Sequence, residues 1–209
     1  MKQLSIIFFF FGAFTFFGFS QRPKEIKIGK QIWMTENLSV DKFSNGDPIP
    51  QAKTFEQYKL SIENETPMWC YYDFDSTNAK LYGKIYNYYA IKDKRGLAPL
   101  SWKIPSKRDW ETLISFLGGA KLAEKKLKAA SGWLYSGNNS SGFSAVPGGI
   151  LRDDNSFSDK GKAGFWWSSS ITNDGIDAAY SLNLYNNDPA STEPSVMWLF
   201  VSVRCLKSL

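Results

Sequence analysis

The chain of 209 residues contains no histidine at all and only two cysteines. Histidine is the commonest metal-binding side chain and the usual general acid or base near neutral pH. Its absence excludes Ser-His and Cys-His catalysis and removes the usual nitrogen ligand of zinc. Few kinds of catalytic chemistry therefore remain open to a chain of this composition.

Positive charge is in excess, but it is not gathered in one place. The formal net charge is +5 at pH 7, and the lysines are scattered along the chain. The one cluster, KLAEKKLK at residues 121–128, has the pattern of the solvated face of a helix. A nucleic-acid-binding surface needs basic residues on one face, so no nucleic-acid partner is predicted.

Long apolar runs are absent apart from one at the start of the chain. MKQLSIIFFFFGAFTFFGFS has an early lysine, an apolar run, and the small residues Gly18 and Ser20. This pattern is typical of a secretory signal peptide, and the run is too short for a membrane span of about 20 residues. We expect residues 1–20 to be removed, leaving a mature chain that starts at Gln21 and has no transmembrane anchor. An uncleaved anchor is the alternative.

The two cysteines, Cys70 and Cys205, lie in separate apolar, strand-like segments. In an exported protein, two cysteines indicate one disulfide rather than a metal site. Such a bridge requires the two Cα atoms to lie within about 7 Å of each other. We therefore predict a Cys70–Cys205 disulfide, with two buried free thiols as the alternative.

The first half of the mature chain mixes alternating and helical patterns. EIKIGKQIWM has apolar residues at every second position on both sides of Gly29, which predicts a hairpin. A long polar excursion with at most a short helix follows, and MWCYYDF then predicts a short buried strand. In YGKIYNYYAIKD the apolar residues fall at helical spacing, so we expect one amphipathic helix there. The side chains expected on its buried face are Tyr82, Ile85, Tyr86, Tyr89 and Ala90.

WKIPSKRDWETLISFLGG, residues 102–119, contains the sequence signals for the start, the apolar face and the end of an amphipathic helix. Ser106 and Asp109 have the spacing of a capping box. One apolar face follows, formed by Trp110, Leu113, Ile114 and Leu117. Gly118 and Gly119 supply the stop, so no catalytic role is needed to explain the segment. A further helix is predicted in AKLAEKKLKAAS, with its inward side chains at Leu122, Leu127 and Ala130.

After Gly132 the composition shifts to glycine, serine, asparagine and aromatic residues. Short apolar or alternating runs are separated by turn-rich connectors such as RDDNSFSDKGKA, ITNDGID and NNDPASTEP, which predicts strands and loops. A hairpin, two to three helices and this strand-rich half together predict one α+β domain over residues 21–209. We expect the first and last strands to pair, because that would prevent fraying.

Seven short blocks, taken in their order along the chain, carry a resemblance to a known family. They are GKQIWMTENL, YGKIYNYYA, WKIPSKRDWETLISFLGG, LKAASGW, SGFSAVPGG, FWWSSS and SVRCLK. In this order they resemble the Fibrobacter succinogenes major paralogous domain, which implies an extracytoplasmic bacterial domain. Several blocks are more distantly similar to the formylglycine-generating-enzyme branch of the C-type-lectin-like fold. That likeness implies two small sheets flanked by helices, with long irregular loops.

The resemblance also shows which sites this chain does not share. Formylglycine-generating enzymes use a pair of neighbouring cysteines near the C-terminal end, whereas only Cys205 lies in that region here. Calcium-dependent lectins use a Glu-Pro-Asn loop and a Trp-Asn-Asp strand, whereas this chain has Glu193, Pro194 and then Ser195, with no Trp-Asn-Asp. Neither the oxidase role nor the lectin calcium site carries over.

Two further groups of residues are candidates for binding. Asp73, Asp75 and Asn78 offer oxygen ligands suited to calcium, although the segment fails the EF-hand template and is typical of a turn-rich connector. No cofactor is therefore predicted, and calcium is the weak exception.

The other group lies in the strand-rich half, where Trp166 and Trp167 are adjacent and must point to opposite faces of a strand. One of them fills the core, and the other is either covered or exposed to a ligand. Asp174 and Asp177 in the following loop complete these candidates.

The sequence as a whole predicts a binding or assembly domain without catalytic activity. Its expected partner is a protein of the bacterial cell envelope, and its expected location is the periplasm, the outer membrane or the cell surface. A lectin-like module for a cell-surface glycan is the alternative. An enzyme ranks third, because histidine is absent and the two thiols are not neighbours.

Overall fold

In the computed structural model, which describes residues 23–173 and 177–208, the chain forms a mixed α+β fold with three sheets. The described strands are β1 Glu25–Ile28, β2 Gln31–Met34, β3 Trp69–Cys70, β4 Ile85–Tyr86, β5 Trp102–Lys103, β6 Gly148–Leu151, β7 Phe157–Lys160, β8 Gly164–Ile171, β9 Ala178–Leu184, β10 Ser191–Val196, β11 Val201–Ser202 and β12 Leu206–Lys207. The described helices are α1 Phe55–Glu63, α2 Ala79–Tyr82, α3 Tyr88–Lys92, α4 Lys107–Phe116 and α5 Ala120–Leu127.

The predicted N-terminal hairpin is confirmed. Strands β1 and β2 pair antiparallel around Gly29, which has a φ of +61°. The last strand does enter the same sheet, but it pairs with β2 through Leu206 and Trp33 rather than with β1. The strand order of this four-stranded sheet is β1-β2-β12-β5. The two ends of the described chain are thus held in one sheet.

A six-stranded sheet with the order β10-β9-β8-β11-β4-β3 forms the centre of the molecule. The chain leaves this sheet after β11 and enters the four-stranded sheet at β12, so residues 203–205 cross from one sheet to the other. Backbone N–H groups of Met34 and Leu38 donate to Cys205 and Val203 of this crossing segment at 3.1 and 2.8 Å. The crossing segment therefore lies against the chain that follows the hairpin.

The six-stranded sheet separates the hydrophobic core into layers. Trp167 packs on one side with Trp69, Tyr86 and Cys205. Trp166 packs on the other side, in a cluster that also contains Trp33 and Trp110. The alternation of side chains along a strand explains why two adjacent tryptophans belong to different clusters.

Helix α4 begins as its sequence predicts. The Ser106 side chain accepts a hydrogen bond from the Asp109 backbone N–H at 3.1 Å, and Asp109 Oδ2 accepts one from the Ser106 backbone N–H at 2.9 Å. Trp110, Leu113 and Leu117 are buried. The rings of Trp110 and Trp33 stack with centroids 4.6 Å apart, which joins the helix to the hairpin.

The single helix predicted in YGKIYNYYAIKD, residues 82–93, is wrong as one element, because only Tyr88–Lys92 of it is helical beyond Gly83. Helix α2 ends at Tyr82 and is followed by Gly83, which has a φ of +73°, and Ile85 and Tyr86 then form strand β4. Helix α3 starts afresh after Asn87, whose side chain accepts from the Ala90 N–H at 3.2 Å. Pairing of β4 between β11 and β3 overrides the helical spacing, because both of its residues are buried and have a strand on either side.

The inward face predicted for the next helix is correct only at Leu127. Leu122 is 52% exposed and Ala130 is exposed, whereas helix α5 buries Ala123 and Glu124. The lysine cluster is likewise not wholly solvated. Lys128 is fully buried, where its ammonium pairs with Glu124.

Two of the predicted connectors contain strands. Strand β7 lies within RDDNSFSDKGKA and pairs with β6. Strand β10 lies at the end of NNDPASTEP and at an edge of the six-stranded sheet. Its Pro194 is tolerated because an edge strand leaves one row of N–H groups without partners in the sheet.

The predicted disulfide is not formed in the structure, where Cys70 and Cys205 are both free and buried. Trp69 and Cys70 are consecutive in β3, so their side chains leave opposite faces of the sheet. Trp69 packs in the cluster that contains Cys205, whereas Cys70 packs with Ile85 on the far side. The sheet therefore stands between the two thiols.

Candidate functional site

A polar network is centred on half-buried Asn37 and buried Arg204. Asn37 Oδ1 accepts from Arg204 Nε at 3.1 Å and Nη2 at 2.7 Å, and from Trp166 Nε1 at 2.8 Å. The Asn37 Nδ2 group donates to Tyr82 O at 2.9 Å and to Ser202 Oγ at 3.1 Å. One carboxamide thus connects the end of the hairpin with β8, β11 and the crossing segment.

Arg204 is fully buried, at 0% exposure, in the crossing segment between β11 and β12. Its Nη1 group donates to Phe143 O at 2.6 Å and Met34 O at 3.2 Å, and its guanidinium lies 4.6 Å from the Phe143 ring centroid. Within residues 23–173 and 177–208, no carboxylate forms an ion pair with it. Burial lowers the pKa of Arg204 to about 9, so the side chain still carries its charge at neutral pH.

A cavity of about 440 Å³ opens beside this arginine. We call it the Arg204 cavity. Its described lining contains three cations, Lys24, Lys80 and Arg204, and one carboxylate, Glu36. Glu36 already forms a salt bridge with Lys24 at 2.8 Å. Its other lining residues are Thr35, Asn37, Ser39, Ala79, Leu81, Gly83, Ser144 and Val146. The cavity is therefore electropositive.

Two neighbouring depressions continue the Arg204 cavity across the surface. One of about 280 Å³ shares Lys24, Glu36, Asn37 and Ser39 with it. The next, of about 780 Å³, shares Val40 and Pro99 with the second. We call these three adjoining depressions the trough. Its far end is lined by the polar residues Lys42, Ser44 and Ser101 and by the apolar residues Val40, Phe43, Leu97, Ala98, Pro99, Leu100 and Trp102.

The apolar end of the trough contains the most exposed large hydrophobic side chain among the described residues. Leu100 is 93% exposed, in the loop that leads to strand β5. Trp102, two residues later, is only half-buried. Phe43 and Leu97 of the same depression are buried, so Leu100 is the exposed apolar side chain that a partner could contact there.

The tryptophans predicted as ligand-binding candidates do not lie on the surface. Trp166 and Trp167 are both at 0% exposure. Their indole N–H groups donate at 2.8 Å to Asn37 Oδ1 and to Tyr86 O respectively. Both are covered because a layer of helices and loops lies on each side of the sheet, so neither can stack on a ligand.

The weak calcium candidates are engaged within the protein. Asp73 Oδ2 accepts from Lys160 Nζ at 3.1 Å. Asp75 accepts from the Thr77 N–H and hydroxyl at 2.9 and 2.6 Å, and Asn78 donates to Tyr72 O at 2.9 Å. The three side chains therefore serve separate turns. Across the described residues, no three cysteine or acidic side chains are grouped as metal ligands.

Of the two remaining candidates, Asp174 lies outside the described residues. Asp177 is exposed at the start of β9, and its backbone carbonyl accepts from the Met197 N–H at 2.9 Å. It does not line the trough. No helix within residues 23–173 or 177–208 combines the length and hydropathy needed to cross a membrane.

Sequence reasoning missed both central residues of the site, Asn37 and Arg204. A signal for Arg204 was present, because VSVRCL places one arginine inside an apolar, strand-like run. A charged side chain in such a setting is buried with polar partners. Nothing in the polar segment around Asn37 distinguishes it from its neighbours.

The fold and the site together define a mixed α+β domain with a surface trough that ends at a buried cation. The chain belongs to the Fibrobacter succinogenes major domain family, whose model matches residues 26–207. A search of curated proteins and a search of solved structures each found no match.

Proposed function

We propose that this protein is a non-catalytic extracytoplasmic domain that binds a protein partner in the bacterial cell envelope through its trough. The observation that carries the proposal is the trough itself, in which a mainly apolar depression with the exposed side chain of Leu100 adjoins an electropositive cavity. Apolar side chains supply affinity, and buried polar groups fix the orientation of what is bound. An extended polypeptide segment has the dimensions and the mixed chemistry to fill such a surface.

The chemistry of the trough lining supports binding rather than catalysis. Among the described residues that line it, Glu36 is the only one with a carboxylate, and that carboxylate is exposed and paired with Lys24. Neither cysteine lines the trough. A serine or threonine there would have no histidine beside it to act as a base, because the chain has none.

A photo-crosslinking experiment in the native envelope tests the proposal. Benzoylphenylalanine would replace Leu100 in one variant and Leu134 in a matched control, since Leu134 is 62% exposed but lies outside the trough. We expect a protein adduct from position 100 and none from position 134. Equal adducts at both positions, or none at either, would contradict a protein-binding trough.

A lectin-like module for a cell-surface glycan is the second candidate, and half-buried Trp102 favours it. Tryptophan in a depression offers a flat apolar face on which a sugar ring can stack. Polysaccharide that co-purifies with the protein, and is lost with Trp102→Ala but not with Leu100→Ala, would favour the glycan. A protein adduct from position 100 would favour the first candidate.

Export and fold class are part of the same proposal. We propose that residues 1–20 are a cleaved signal, which an intact mass starting at Gln21 would support and retention of Met1 would contradict. We also propose a C-type-lectin-like single domain over residues 21–209. It is supported by two larger sheets flanked by helices, by long loops and by one family match over residues 26–207. An experimental structure of the mature protein would test this fold class, and a different arrangement of the two larger sheets and helices would contradict it.

A further inference from the structure

The charge of Arg204 has no carboxylate to compensate it within the described structure. Burying a cation away from water costs several kcal/mol unless it is paired, which is why buried arginines usually face a carboxylate. Here the acceptors are two backbone carbonyls and the neutral carboxamide of Asn37. The nearest acidic side chain in the cavity, Glu36, is 67% exposed and contacts Lys24 instead.

The hydrogen-bonding capacity of Arg204 is also not exhausted. A guanidinium has five N–H donors, and the structure shows four bonds, one from Nε, two from Nη1 and one from Nη2. One N–H of Nη2 therefore has no acceptor in the described part of the chain. Arg204 itself lines the Arg204 cavity.

The surroundings of the cavity add positive charge at its mouth. Lys80 is exposed, and no carboxylate in residues 23–173 or 177–208 forms an ion pair with it. Ser144 and Thr35 place hydroxyl groups in the same lining. A buried guanidinium with a lysine and hydroxyls around it is the set of groups that recognises a carboxylate.

We propose that the Arg204 cavity binds a carboxylate of the polypeptide segment that occupies the trough. The carboxylate lies beside the buried guanidinium of Arg204, whose uncompensated charge attracts it, and it faces Lys80. The apolar residues of the segment lie toward Leu100. This inference rests on the proposed function and names the group that the trough recognises. A peptide is favoured over an acidic sugar because the trough continues for two further depressions with mainly apolar walls.

Binding of matched small probes to the mature protein tests the inference. The probes are acetyl-Leu-Ala with a free carboxylate, the same dipeptide as its amide, and galacturonate. The readout is the NMR signal of the Trp166 indole N–H, assigned with Trp166→Phe, because this group shares the Asn37 Oδ1 acceptor with Arg204. We expect the free acid to shift this signal and the amide to leave it unchanged.

Variants separate the carboxylate site from general attraction to a basic protein. Lys80→Gln should weaken binding of the free acid about threefold, in keeping with an exposed charge contact. Lys121→Gln removes an equivalent exposed charge outside the trough and should leave binding unchanged. Equal weakening by both variants would overturn the assignment, because it would show attraction to net charge alone.

Arg204→Gln should abolish the difference between the free acid and the amide. If this variant does not fold, the free acid, the amide and the two lysine variants still decide the question. Equal binding of acid and amide overturns the inference, and tighter binding of galacturonate than of the dipeptide overturns its assignment to a polypeptide. If the small probes contradict the carboxylate site but position 100 still gives a protein adduct, only the carboxylate site is wrong. If position 100 gives no protein adduct, the proposed function itself is wrong.

Discussion

Nη2 of Arg204 donates to Oδ1 of Asn37 at 2.7 Å, across 167 positions of the chain. Asn37 follows the hairpin, and Arg204 lies in the segment that crosses from the six-stranded to the four-stranded sheet. Trp166 of the central strand β8 donates to the same oxygen atom. One side-chain oxygen thus links three segments distant in sequence, and the same group forms part of the Arg204 cavity.

Replacing Asn37 by alanine should destabilise the fold strongly. The change removes the acceptor of two Arg204 donors and of the Trp166 indole, and leaves a buried cation with fewer partners. Because lost hydrogen bonds to buried charged groups are costly, we expect the free energy of unfolding to fall by at least about 3 kcal/mol. Equilibrium denaturation in urea measures this loss.

Two comparisons make the Asn37 prediction specific. Asn37→Asp keeps an acceptor for the guanidinium and should cost less than Asn37→Ala, although it loses the donors to Tyr82 and Ser202. Asn64→Ala, at an exposed helix end, should cost less than about 1 kcal/mol. A loss at Asn37 no greater than that at Asn64 would show that the network is dispensable.

Asp109 should contribute stability that depends on pH. Burial alone would raise its pKa, but hydrogen bonds from Ser106 and Lys103 outweigh burial and lower the pKa below its usual value. Because the folded-state pKa lies below the unfolded value of about 3.9, the contribution is present above that pH. It is lost as the pH falls through the folded-state pKa.

The matching measurement compares the wild type with Asp109→Asn across pH 3 to 7, using equilibrium unfolding. We expect the wild type to be more stable at neutral pH and the difference to shrink as the solution is acidified below about pH 4. Glu111→Gln provides a control on the same helix, outside the capping box. A constant difference for Asp109→Asn at every pH would mean that its charge does not matter.

Removing calcium should leave the stability of the protein unchanged. Asp73, Asp75 and Asn78 already bond to Lys160, Thr77 and Tyr72, so a cation would have to displace existing contacts. A ligand that bound only the folded state would raise the melting temperature by mass action. We expect thermal unfolding curves in calcium and in chelator to coincide, and Asp75→Ala to lower both equally through loss of the Thr77 contacts. A chelator-dependent drop that Asp75→Ala abolishes would establish a calcium site.

The hairpin and helix α4 could be predicted because their signals are local. A glycine turn between alternating apolar residues, and a capping serine before an apolar stripe, specify structure within a few residues. The same local reasoning failed for the single helix predicted over residues 82–93. There Ile85 and Tyr86 become a strand only because β11 and β3, distant in sequence, lie on either side.

The site could be predicted less well than the fold, for a related reason. Arg204 stands out in sequence as one charge in an apolar run, but its partner Asn37 belongs to an ordinary polar segment. Their contact depends on how two sheets meet. Trp166 and Trp167 stand out for their size, yet the structure uses both for the core. Adjacent aromatic residues on a strand place their side chains on opposite faces of the sheet, but they do not show which face is exposed to solvent.

The arrangement of the cysteines gives a final prediction, which opposes the one from sequence. Cys70 and Cys205 lie in clusters on opposite sides of the six-stranded sheet, and both are fully buried. Burial raises the pKa of Cys205 to about 12 and that of Cys70 well above its usual range, so neither thiol reacts readily as a thiolate. We expect alkylating reagent to leave the native protein unmodified.

The same reagent should modify both cysteines in denaturant without any reductant, as measured by intact mass. Peptide mapping under non-reducing conditions provides the second measurement. A cross-linked peptide containing Cys70 and Cys205 would restore the disulfide, and would require strand β3 or the crossing segment to pack differently from the arrangement described above.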